Sequence, residues 1–114
     1  LSALRYAIDL IETGEQLVVF PEGKINRQGK KLILKEGLYR LARLATKKTD
    51  SIIIVPIGIA YSKESPKVGS EFCLTFGQPI FMNDYLNFTI KEFNDFLHSK
   101  MIKAEEIALK NVGR

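Results

Sequence analysis

The stretch Phe20–Arg27 carries the residue types in this chain that are best suited to chemistry. The carboxylate of Glu22 is followed by Gly23 and by the cations Lys24 and Arg27. A glycine lets backbone approach a ligand closely, and cations spaced along a loop can grip a phosphate. The pattern predicts an anion-binding corner; the competing interpretation is a solvated basic loop in which Glu22 merely pairs with Lys24 or Arg27.

A short apolar strand is expected to present this corner. Leu17–Phe20 is apolar without alternation, which is typical of a strand buried on both faces of a parallel sheet. Pro21 ends the strand because proline has no backbone N–H to donate to a neighbouring strand. Open α/β sheets bind ligands where strands stop, so this position favours a binding role for Glu22 and its neighbours.

The remaining pattern predicts an α/β fold with a mostly parallel sheet, flanking helices and a long C-terminal helix. Apolar residues at helical spacing predict helices over residues 2–13, 35–48 and 89–110. Apolar runs predict further strands over residues 52–55, 57–61 and 72–76. Asn87 or Thr89 is the expected N-cap of the last helix.

Length and composition limit the organisation of the chain. The 114 residues, of which 46% are hydrophobic and 26% charged, predict one globular domain or a part of one. We expect a single, incomplete domain over residues 1–114, divided into an α/β part (1–86) and a C-terminal helical part (87–114). The chain opens at Leu1 in helical rhythm and without methionine, which we interpret as a truncation.

Charge, cysteine content and the length of the apolar runs limit the kinds of partner, cross-link and membrane span that the sequence predicts. The net charge of +4 favours an anionic partner, and a phosphorylated small molecule, a membrane surface and a nucleic acid all fit it. The single cysteine, Cys73, excludes an internal disulfide. No cluster of metal-ligating residues is evident, so no metal site is predicted. Residues 52–60, the longest apolar run, reach only about half the length of a membrane-spanning helix.

Four ordered sequence elements resemble one family. Phe20-Pro21-Glu22-Gly23 and the strand Ile54–Tyr61, which contains Val55-Pro56, resemble the third and fourth conserved blocks of the glycerol-3-phosphate and lysophosphatidate acyltransferase superfamily. Lys35–Ala42 is similar to the connector between these blocks, and Phe76–Ile80 to an element near the end of the domain. The chain therefore resembles the C-terminal part of such a domain.

The resemblance implies transfer of a fatty acyl group from coenzyme A or acyl carrier protein to a hydroxyl of a glycerol phosphate or lysophospholipid. Neither donor is a bound cofactor; each is a co-substrate. It also implies a cytoplasmic protein at the membrane face and a role in phospholipid synthesis. The residues it marks for the acceptor and its phosphate are Glu22, Gly23, Lys24 and Arg27, and those that shape the site are Phe20, Pro21, Val55 and Pro56.

Two departures from the family pattern affect this expectation. The family often has threonine-arginine after the glycine, whereas this chain has Lys24-Ile25, so the phosphate-binding role falls to Lys24 or, by preference, to Arg27. The family's general base is a histidine five residues before an aspartate. The only histidine here, His98, precedes Lys103 at that spacing. We therefore expect the chain to be inactive alone.

Other interpretations remain open. A non-catalytic module that binds lipid phosphate or a membrane surface would use the same basic loop and the late amphipathic helix. Pro56 could mark a bulge or strand edge without any ligand. A nucleic-acid binder ranks last, because no helix face is rich in Lys and Arg and no loop interleaves aromatic residues with cations. Exposed apolar surface on an incomplete domain would favour self-association.

Overall fold

Two helices, four short strands, a 3-10 helix and a long helix follow one another along the part of the chain that the computed structural model describes, which is residues 2–21, 36–63 and 68–114. The expected α/β class is confirmed in this general sense. The helices are α1 (Ser2–Glu12), α2 (Gly37–Ala45) and α3 (Ile90–Asn111), and a 3-10 helix covers Met82–Tyr85. The strands are β1 (Ile53–Ile54), β2 (Ile57–Tyr61), β3 (Phe72–Phe76) and β4 (Ile80–Phe81).

Helix α1 ends just before Gly14, as the predicted bounds of residues 2–13 require. Gly14 has φ +88°, a left-handed conformation that glycine adopts without steric cost. The Glu15 N–H donates to the Leu10 carbonyl at 3.0 Å and the Gly14 N–H to the Ile11 carbonyl at 3.0 Å. These two bonds form a Schellman motif, which satisfies carbonyls that the helix end leaves unpaired.

The segment after α1 does not form the predicted strand. Residues 15–20 have no regular secondary structure, and Val18 and Phe20 are 79% and 71% exposed. The prediction of a doubly buried strand over Leu17–Phe20 is therefore wrong. An apolar run becomes a buried strand only where a neighbouring strand pairs with it, and none does so among the described residues.

The prediction of a mostly parallel sheet is also wrong for the described strands. Strands β2 and β3 pair in antiparallel orientation, with Ile57 opposite Phe76 and Tyr61 opposite Phe72. Burial alternates along β2, so only Gly58 and Ala60 face the interior. The apolar run 57–61 therefore belongs to a one-sided antiparallel hairpin and not to a strand covered on both faces.

A second short pairing joins the two remaining strands, since β1 lies beside β4 in a two-stranded sheet. Next to it, the Met82 N–H donates to the Ile52 carbonyl at 2.9 Å. Ile52 is buried, but Ile53 and Val55 are 49% and 41% exposed. The prediction that residues 52–55 form a doubly buried strand is thus also wrong, because exposure alternates here as it does in β2.

Helix α3 confirms its predicted cap. The Thr89 hydroxyl accepts from the Glu92 N–H at 3.1 Å, and the Glu92 carboxylate accepts from the Thr89 N–H at 2.8 Å. This reciprocal pair is a capping box. Among the apolar residues at helical spacing in α3, Phe93 and Leu97 are buried, whereas Ile107 is 44% exposed.

The described chain divides into two compact units, each with its own buried side chains. Unit 1 comprises Leu1–Ile52 and Phe81–Asn94, and unit 2 comprises Ile53–Ile80 and Asp95–Arg114. In unit 1, α1 packs against α2. The buried apolar side chains of unit 1 are Tyr39, Ala42, Ala45, Ile52, Met82 and Phe93. Those of unit 2 are Ala60, Ile80, Leu97, Ala104 and Ala108.

Candidate functional site

The residues predicted to bind the acceptor lie outside the described part of the chain. Glu22, Gly23, Lys24 and Arg27 all fall between the described ranges 2–21 and 36–63. Their assignment therefore stays a sequence-based prediction.

The two residues before Glu22 that are predicted to shape the site lie within the described part of the chain. Phe20 is exposed and Pro21 half-buried, and both belong to unit 1. The described chain leads up to Glu22 without a hydrogen-bonded strand.

The second pair of residues predicted to shape the site lies in unit 2, between β1 and β2. Val55 is 41% exposed, whereas Pro56 is buried. The Pro56 carbonyl accepts a hydrogen bond from the Gly77 N–H at 2.8 Å. A Cβ on Gly77 would meet the Pro56 Cβ at 3.4 Å. Pro56 is thus packed against the segment that follows β3, which fixes the backbone that carries Val55.

Strand β2 lies close to α3 because its buried residues are small. A Cβ added to Gly58 would collide with the backbone of Ala104 and Glu105. Gly58 and Ala60 are the buried residues of β2, so small side chains let the helix backbone approach the strand closely. The strand of the Val55-Pro56 block is therefore positioned by α3.

The opposite face of this hairpin, here called the hairpin face, is apolar and uncovered among the described residues. Its six side chains are 38–65% exposed, and they form three cross-strand pairs. Neither β2 nor β3 contains a charged residue. The hairpin face consists of Ile57, Ile59, Tyr61, Phe72, Leu74 and Phe76.

The potential catalytic and metal-binding side chains are dispersed. His98 is half-buried on α3. In ranges 2–21, 36–63 and 68–114, no three His, Cys, Asp or Glu side chains lie close enough to hold a metal ion. Cys73 is half-buried, and the Asn111 amide lies 3.8 Å from its sulfur.

Unit 1 contains a groove that sequence reasoning missed, here called the α2 groove. It has a volume of about 430 Å³ and combines an apolar floor with three cations. The cations follow one another at helical spacing along α2 and the residues after it, so the sequence did contain the signal. The groove is lined by Leu4, Tyr39, Arg40, Arg43, Leu44, Lys47 and Ile90.

The side chain of Tyr39 organises the α2 groove. It is 7% exposed, and its ring lies 5.7 Å from that of Phe93. Its hydroxyl donates to the Phe88 carbonyl at 2.7 Å and accepts from Arg43 Nη1 at 2.8 Å. Arg43 Nη1 also donates to the Leu86 carbonyl at 2.7 Å. A buried ring and three hydrogen bonds thus hold the Arg43 guanidinium in place.

Comparison with known families identifies the class of protein. The family model described as Acyltransferase matches residues 1–60, which is more than half of the chain. The chain therefore belongs to the acyltransferase family. No curated protein and no solved structure matches the chain significantly. The described residues contain no helix that is both long and apolar enough to cross a membrane.

Proposed function

We propose that this chain forms part of an enzyme that moves a fatty acyl group from coenzyme A or acyl carrier protein to a hydroxyl of a glycerol phosphate or lysophospholipid. The observation that carries the proposal is the family match over residues 1–60, which includes both Phe20–Gly23 and Val55-Pro56. The setting we propose is phospholipid synthesis at the cytoplasmic membrane face. The positive net charge supports this setting, because that face is anionic.

In this proposal, the loop after Pro21 holds the acceptor. The Gly23 backbone approaches the ligand, the Glu22 carboxylate orients it, and Arg27 binds its phosphate through paired N–H donors. Lys24 adds a point charge. The chain alone catalyses no transfer, because His98 has Lys103 where the family's histidine has an aspartate.

Acceptor binding tests the proposal on the chain as it stands. Glycerol 3-phosphate is titrated into the protein and followed by calorimetry. Removing a charge-assisted phosphate contact costs about 1.5–3 kcal/mol, so Arg27→Ala should weaken binding about tenfold or more. Lys30→Ala removes one positive charge from the same loop and serves as the matched control. Equal losses in the two variants, or no binding by the unmodified protein, would refute the assigned phosphate role.

Kinetics in a catalytically complete enzyme that contains this chain separate acyl transfer from simple binding. Arg27→Ala should raise the acceptor KM more than the donor KM. Glu22→Ala should lower kcat while leaving the melting temperature unchanged; a lower melting temperature with normal kcat would make Glu22 structural.

A non-catalytic module for lipid phosphate or a membrane surface is the second candidate. The α2 groove favours it, because it offers cations and an apolar floor without any catalytic base. Turnover distinguishes the two candidates. If the longer protein that contains this chain bound acceptor and acyl donor but formed no product, the result would support the module.

The proposal also includes a second copy of this chain as a partner through the hairpin face. Six large side chains that are 38–65% exposed present roughly 600 Å² of apolar surface. Two such faces would bury about 1,200 Å², the lower end for specific interfaces. The area supports a weak dimer.

A further inference from the structure

We propose that the α2 groove binds the phosphate of an anionic lipid while that lipid remains in a membrane. The inference rests on the proposed membrane association and not on acyl transfer or on residues 22–27. Its supporting observations all lie in unit 1: the fixed Arg43, two accessible cations beside it, and an apolar floor of suitable size.

Arg43 supplies a donor that is oriented before any ligand arrives. Two hydrogen bonds from Nη1 and the Tyr39 ring, whose centroid lies 5.5 Å from the guanidinium carbon, fix its position. Its Nε and Nη2 groups have no hydrogen-bond partner within the described ranges. Because the side chain is already ordered, binding an anion costs little further conformational entropy.

Lys47 and Arg40 flank Arg43 on the same side of the helix. Lys47 is exposed and makes no ion pair with the residues that the structure describes. Arg40 pairs with Glu36 at 2.8 Å, but both side chains are more than half exposed, at 62% and 57%. An exposed ion pair of this kind contributes little stability, so Arg40 can leave the Glu36 carboxylate and bind a phosphate at low cost.

The floor of the groove distinguishes a lipid from a free phosphate. Leu4, Leu44 and Ile90 line it, and Leu44 is 38% exposed. An inorganic phosphate or an acidic peptide would leave this apolar surface in contact with water. A lipid phosphate brings adjoining methylene groups that cover it, which is favourable in proportion to the area removed from water.

The size of the groove favours a lipid that stays in its bilayer. A volume of about 430 Å³ lies near the lower end of pockets that enclose a small ligand. It accommodates a phosphate headgroup and the first methylene groups, but not two complete acyl chains. The chains therefore remain in the membrane, and the groove acts as a headgroup clamp at the surface.

Vesicle co-sedimentation tests the inference with a matched pair of variants. The full chain is mixed with phosphatidylcholine vesicles with or without phosphatidate. Lys47→Ala removes a charge that lines the groove, whereas Lys48→Ala removes the same charge from the next residue, which does not line it. Lys47 lines the groove that would hold the lipid phosphate, where a cation contributes about 1 kcal/mol, so Lys47→Ala should weaken binding to phosphatidate vesicles about fivefold. The loss of binding free energy in Lys48→Ala should be less than half as large.

Two further measurements address the floor and the source of the phosphate. Leu44→Gln keeps every charge and should also weaken binding to phosphatidate vesicles, with an unchanged circular dichroism spectrum. Glycerol 3-phosphate, which lacks acyl chains, should not displace the protein from vesicles.

Three outcomes would overturn the inference: equal losses for Lys47→Ala and Lys48→Ala, full displacement by glycerol 3-phosphate, or equal binding to vesicles without phosphatidate. Failure of the unmodified protein to bind any vesicle would remove the membrane association as well. None of these outcomes alters glycerol 3-phosphate titration of Arg27→Ala, so the acyltransferase proposal is tested separately.

Discussion

Gly58 provides the most direct test of how the Val55-Pro56 strand is held. In Gly58→Ala, the added methyl group would collide with the backbone of Ala104 and Glu105 in α3. Backbone of a regular helix cannot rotate away as the end of a flexible side chain can. The helix must therefore shift as a whole, or β2 must move away from it.

The expected cost follows from two opposing effects. Overpacking a well-packed contact typically costs about 1–3 kcal/mol, and a collision with backbone lies at the upper end of that range. Alanine restricts the unfolded chain more than glycine does, which returns about 0.4–1 kcal/mol. We expect Gly58→Ala to lower the free energy of unfolding by about 2 kcal/mol, and the melting temperature by about 10 °C for a domain of this size.

Thermal and urea unfolding followed by circular dichroism measure this effect, and two other glycines serve as controls. A Cβ on Gly77 would meet Pro56 at 3.4 Å, an ordinary contact, and a Cβ on Gly37 would meet nothing within 4 Å. Gly77→Ala should change stability little, and Gly37→Ala, in α2, should raise it slightly. If Gly58→Ala had the same melting temperature and urea midpoint as these controls, the close approach of α3 to β2 would be refuted.

Two further predictions concern the cap of α3 and the hairpin face. Thr89→Ala removes the hydroxyl that accepts from the Glu92 N–H and should lower the free energy of unfolding by about 1 kcal/mol, measured by urea unfolding; no change would mean that the capping box contributes nothing. Leu74→Lys places a charge on the hairpin face and should weaken self-association in analytical ultracentrifugation, whereas Lys63→Glu, outside that face, should not. A dimer that persists in Leu74→Lys would exclude this face as the interface.

Local sequence rules predicted the helices well, because their signals are carried by neighbouring residues. Gly14 ends α1 through its own left-handed conformation, and Thr89 caps α3 through a residue three positions later. Neither feature depends on distant parts of the chain. The three helices therefore appear close to their predicted positions.

The strand predictions were less accurate, because the environment of a strand is set by residues distant in sequence. Leu17–Phe20 and Ile57–Tyr61 look alike as apolar runs, yet the first forms no strand and the second is an antiparallel hairpin strand with one buried face. Alternating small residues were the available signal in the second case, since Gly58 and Ala60 are the two buried residues of β2. Apolar character alone could not reveal which faces a strand buries.

The candidate site shows the same division. The family blocks were readable because each is contiguous in sequence. The match over residues 1–60 supports the acyltransferase family as a whole, and Phe76–Ile80 lies beyond it. The α2 groove combines Leu4, five positions in and just after α2, and Ile90, which lie far apart in sequence. Only the spacing of Arg40, Arg43 and Lys47 could have indicated it. The role of Tyr39, which fixes Arg43 through its hydroxyl, depends on Phe88 and Phe93 and was not predictable locally.

The residues that hold the Val55-Pro56 block lie beyond the segment that matches the family model. The family match ends at residue 60, within β2. Its hydrogen-bonded partner β3, Gly77 beside Pro56 and Ala104 beneath Gly58 all come later in the chain. A substitution in α3 can therefore shift β2 without changing any residue of the family pattern. The later residues determine the position of β2, and the matched segment determines which side chains β2 presents.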